Sequence, residues 1–161
     1  MQNNLADLEH VIHLNKWIEQ IIEPLPSLEG YATCPFAKQA QKNQILIEKI
    51  NLVDIIPPTD LNFEIIIYVV EDNINPDQLD QSATELNLKY NDLVFLPDHP
   101  VHTLDTGAKA HSSNGRYNLI LCQPKTKLRK ARETLTKTKY YSLWNADYLK
   151  KIMGDDYGLL D

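Results

Sequence analysis

The chain has 161 residues, 43% of them hydrophobic, and a formal charge of −6, which fits one domain, residues 1–161, around one core. The acidic balance makes nucleic acid an unlikely partner, and no stretch approaches the ~20 apolar residues of a bilayer-crossing helix, so no membrane partner is expected. Met1-Gln2-Asn3-Asn4 lacks the features of an export signal, and Cys34 and Cys122 form no CxxC pair or disulfide framework, so a reducing, cytoplasmic location is expected.

In chain order, Leu5, Leu8, Val11, Ile12, Leu14, Ile18, Ile21 and Ile22 recur at helical spacing and predict an amphipathic helix over 5–23, which Pro24 and Pro26 end. A loop follows over 25–33, then a short helix over 35–41. Residues 45–50 read as a strand, Pro57-Pro58 as a loop, and the β-branched run 62–70 as a longer, central strand. Asn75-Pro76-Asp77 marks a helix start, with Leu79, Ala83, Leu86 and Leu88 as its apolar residues. Strands are predicted at 92–96, closed by Pro97, and at 117–122, the second alternating as a half-buried strand does. A helix over 126–139 and an aromatic segment with Tyr140, Tyr141, Trp144 and Tyr148 complete the chain.

This order predicts an α+β fold, a four-stranded sheet with helices packed on it, joined by two hairpin-like steps and one helical crossover. A permuted ferredoxin-like sandwich is one arrangement the order allows.

Three features carry chemistry. In Gly30-Tyr31-Ala32-Thr33-Cys34-Pro35-Phe36-Ala37-Lys38, proline at the first helical position makes Cys34 the N-cap. Free N–H groups and the helix dipole would favour its thiolate there, with Lys38 one turn on. The plainer alternative is a cysteine packed at a helix start. Ala37 stands where a dithiol oxidoreductase would have its second cysteine.

The long segment 97–116 holds His99, His102 and His111 with Asp98 and Asp105. Histidine is both a common metal ligand and the usual general base, although solvated loop histidines explain the same composition. Asn114-Gly115 signals a turn that leaves Arg116 at the start of a strand, where it could pair with a carboxylate or phosphate. The third feature is the basic run Lys125, Lys127, Arg129, Lys130 and Arg132, continued by Lys137 and Lys139. It reads either as the solvated face of an amphipathic helix or as a surface for an acidic protein or RNA.

Cys34-Pro35-Phe36-Ala37-Lys38, the strand at 65–70, His99-Pro100 after the third strand, Arg116 before the fourth, and the helical 129–133 together resemble a bacterial domain-of-unknown-function family with a Cys-Pro-Phe-Ala-Lys/Arg motif, over roughly 30–133. The resemblance implies that Cys34, His99 and Arg116 belong together and names no reaction.

The leading expectation is a small cytoplasmic enzyme acting on an anionic small molecule. Cys34 is its nucleophile or redox thiol, His99 or His102 moves a proton, and Lys38, Arg116 and Asn114 hold the substrate. No metal or cofactor is assigned in this reading. One alternative makes Cys34, His99, His102 and His111 metal ligands, and another makes the basic helix a non-catalytic protein- or RNA-binding module.

Overall fold

The computed structural model describes residues 8–41, 45–100 and 113–161. Helices α1 (Glu9–Ile22) and α2 (Pro35–Gln41) precede strands β1 (Leu46–Ile50) and β2 (Ile66–Val70). Helix α3 (Pro76–Lys89), strands β3 (Leu93–Asp98) and β4 (Leu119–Pro124), and helices α4 (Lys125–Thr136) and α5 (Ala146–Met153) follow. Short 3₁₀ turns at Tyr140–Leu143 and Gly154–Leu160 flank α5.

The strands form one four-stranded mixed sheet in the order β1-β2-β4-β3, so the chain has the expected α+β fold. All five residues of β2 are buried, because both faces of the sheet are covered, and an uninterrupted β-branched run suits such a strand. On one face Ile66, Tyr68, Val70, Phe95, Ile120 and Cys122 pack with Leu79 and Ala83 of α3. On the other, Ile65, Ile67, Val69 and Leu119 meet Leu14, Trp17, Ile18 and Ile21 of α1 and Ala37 and Ala40 of α2. A third cluster joins Leu28 to Tyr140, Tyr141, Trp144, Leu149 and Met153, packing the 140–160 segment around the 25–33 loop.

One predicted connection differs. The first two strands do not form a hairpin-like step: β1 and β2 run parallel, Leu46 opposite Ile66 through Ile50 opposite Val70. Parallel neighbours need a crossover of a dozen or more residues, and 51–65 supplies it without a long helix. Instead Ile55 and Phe63 are buried on the α3 face. The other connections match expectation, since α3 links β2 to β3, and β4 pairs antiparallel with both. This split β-α-β unit is shared with ferredoxin-like sandwiches, whereas here helices lie on both faces.

Pro97 does not close β3. Pairing continues through Pro97 opposite Ile120 and Asp98 opposite Leu119, consistent with proline's tolerance at an edge strand. Among the described residues, no helix is long and apolar enough to cross a membrane.

Candidate functional site

Cys34 sits directly before α2, whose first residue is Pro35. Its own N–H donates to Ile21 O at 2.8 Å, tying the helix start to the end of α1, and Tyr140 Oη donates to Thr33 O at 2.7 Å from the opposite side. Between these anchors lies a cavity of about 170 Å3. Its walls come from α1, α2, the Leu121 face of the sheet, α4 and the 140–153 segment, and both tryptophans, Trp17 and Trp144, line it. Most of the lining is apolar, with Cys34, Asp98, Gln123 and Arg132 among the polar contributors.

The electrostatics of Cys34 differ from the sequence expectation. The Ala37 and Phe36 N–H groups and the Arg132 guanidinium do favour the thiolate, but burial outweighs them and pushes the Cys34 thiol up. Removing a small anion from water is costly, and N–H groups at a two-turn helix offset only part of that cost. At neutral pH the cavity therefore presents a thiol. Cys122 lies in the core on the other face of the sheet, where burial pushes it up to about 12.

Arg132 is the cavity-lining residue whose place sequence reasoning missed. Expected on a solvated basic face, it is 3% exposed. Its Nη1 donates to Asp156 Oδ2 at 3.1 Å and to Met153 O, and its Nη2 donates to Ile152 O at 3.0 Å. Asp156 also receives Arg129 Nη1 at 3.2 Å. The signal was periodicity: Arg132 follows Leu128 by four residues and therefore shares the buried side of α4. Nothing local to Asp156 marks it as the partner. Lys127 is likewise engaged, at Phe63 O and Glu64, whereas Lys125, Lys130, Lys137 and Lys139 of the same run are exposed.

The other predicted site residues do not join Cys34. His99 follows β3 on the Phe95 face, is 9% exposed, and donates from Nε2 to Ile74 O at 3.0 Å. This places it across the sheet from Cys34. Arg116 is exposed, pairs with Glu9 of α1 at 3.2 Å and lies over the Tyr117 ring. Asn114 is buried and occupied. Its Nδ2 donates to Asp98 Oδ2 and Tyr117 O, and its Oδ1 accepts from the Arg116 and Tyr117 N–H groups. These bonds make it the organiser of the turn into β4, and His13 Nε2 of α1 donates to its carbonyl at 2.9 Å. Lys38 is exposed on α2 and does not line the cavity. His102 and His111 lie outside the described residues, among which no three His, Cys, Asp or Glu side chains converge as a metal site would require.

A second, more open cavity of about 310 Å3 lies between α2 and α4. Phe36, Ile65, Gln123 and Leu128 line both cavities and form the partition between them. No protein-family model, curated protein or solved structure matches the chain.

Proposed function

We propose that this protein binds a small, largely apolar molecule in the cavity beside Cys34, with the Cys34 thiol as the group placed to contact or react with it. The observation that carries this reading is the partly open, largely apolar space of about 170 Å3 with Cys34 on its wall. An apolar cavity of roughly 150 Å3 is enough to hold benzene, so the favoured ligand is about the size of a substituted benzene or a short acyl chain. Of the five residues expected with Cys34, His99, Arg116, Asn114 and Lys38 do not line this cavity and His102 lies outside the described residues, so the reading rests on Cys34 and the wall around it. Two free thiols suit a reducing cytoplasm as the setting.

Because both tryptophans line the cavity, intrinsic fluorescence reports occupancy directly. Titration with toluene is expected to change the emission saturably, and Ala37→Leu, which fills the wall of the cavity, is expected to remove the response while circular dichroism shows a retained fold. No saturable change in the folded wild-type protein up to the solubility of toluene would overturn the reading.

A further inference from the structure

The second cavity, between α2 and α4, is separated from the first only by Phe36, Ile65, Gln123 and Leu128, which line both. A partition with open space on each side forgoes contacts that a packed core would give its side chains. Of its three apolar members, only Ile65 belongs to one of the packed clusters. Phe36 belongs to none of them and is half-buried, on the first turn of the short helix α2. It is therefore the member of the partition that can change rotamer with least loss of packing.

The two cavities differ in chemistry. The first is largely apolar, whereas Gln39, Glu64, Gln123, Lys127 and Thr134 line the second beside Ala40, Ala131 and Leu135. Glu64 and Lys127 pair with each other at 3.7 Å, so the charged groups of the second cavity balance and select neither an acid nor an amine.

Size and shape narrow the ligand further. The second cavity adds about 310 Å3 to the 170 Å3 of the first. A rounded molecule could use both only by displacing the whole partition. An unbranched chain has to displace one side chain, and each methylene it buries contributes to binding.

Building on the cavity reading above, which supplies the inner half of the site, we propose that the ligand is an uncharged aliphatic amphiphile of medium length. Its unbranched chain fills the first cavity and passes Phe36, and its polar end lies in the second cavity among Gln39, Gln123 and Thr134.

The test compares butanol, hexanol and decanol by tryptophan fluorescence on the wild-type protein and on Ala131→Phe and Thr134→Phe. Both tryptophans line the first cavity and neither lines the second, while Ala131 and Thr134 line the second alone. In the wild-type protein affinity is expected to keep rising beyond hexanol, so that decanol binds at least about tenfold more tightly, within the roughly fourfold per methylene that burial allows. Each substitution fills the second cavity and is expected to abolish that gain while leaving butanol unchanged. Thr134 is exposed on α4, so its replacement spares the core, and the butanol arm confirms that a variant retains the first cavity.

Decanol binding no tighter than hexanol binding in the wild-type protein would confine the ligand to the first cavity and overturn the proposal. A gain that survives in a variant with unchanged butanol binding would place the longer chain elsewhere and overturn it as well. Failure of the alkanols where toluene binds would overturn the amphiphile alone, and failure of toluene too would overturn the cavity reading itself.

Discussion

A cysteine before a helix-initiating proline looks activated in sequence, yet Cys34 shows that position and surroundings act in opposite directions. The Ala37 and Phe36 N–H groups pull its proton off, and burial holds the proton on more strongly. Alkylation by iodoacetamide should therefore be slow at pH 7 and rise only above the ordinary thiol range. A Cys122→Ser variant isolates the signal, and rapid labelling with an apparent pKa below about 8.5 would contradict this balance. The helix start itself was readable, because Pro35 fixes it and Cys34 can only precede it. The sign of the shift was not, because it is set by burial, and the residues that bury this site, Tyr140 and Tyr141 among them, lie far along the chain. His99 was misplaced for a more local reason. Ending β3 at Pro97 leaves the next residues free to turn towards either face, whereas pairing through Asp98 fixes alternation and sends His99 to the α3 side.

At the scale of elements, the strand and helix positions were legible because each has its own periodicity or cap. The Asn75 side chain, for instance, accepts from the Gln78 N–H while Gln78 returns a bond to the Asn75 N–H, as its sequence suggests. Strand pairing was not legible in the same way. Ile45 to Ile50 would show the same apolar pattern in a hairpin or beside a parallel neighbour, and the choice is made by how the 51–65 connection buries Ile55 and Phe63. Between α4 and the Gly154–Leu160 turn, the fold depends on the buried Arg132–Asp156 pair. Removing one member of such a pair leaves the other charge uncompensated, at a cost of about 3–5 kcal/mol. Asp156→Ala should lower the urea midpoint by a corresponding amount, and an unchanged midpoint would show that the pair contributes no net stability. Neutralising Arg132 to probe the basic run would for the same reason test folding rather than binding.

For the molecule as a whole, burial of ionisable groups on both sides of the sheet predicts its response to alkali. Burial pushes the Cys122 thiol from 9.0 up to about 12 and the Tyr141 hydroxyl from 10.0 up to about 12. Both folded-state values are raised, so their stabilisation is complete below pH 9 and is lost as pH rises towards 12. Each group contributes a slope of about 1.4 kcal/mol per pH unit within its window. Chemical denaturation at a series of pH values should show stability falling over this range, and Cys122→Ala should flatten the fall. An equal slope in that variant would remove Cys122 as a cause.

The cavity walls are drawn from widely separated parts of the chain, with Trp17 near one extreme and Met153 near the other. During synthesis, α1, α2 and the sheet are all available before the residues that close the space have left the ribosome. The cavity wall is therefore complete only once residues 140–153 are present, and a nascent chain that stops before Tyr140 has a floor but no far wall. On the proposed reading, a ligand added early would meet an open apolar surface, and occupancy of the cavity would report that the 140–153 segment has packed.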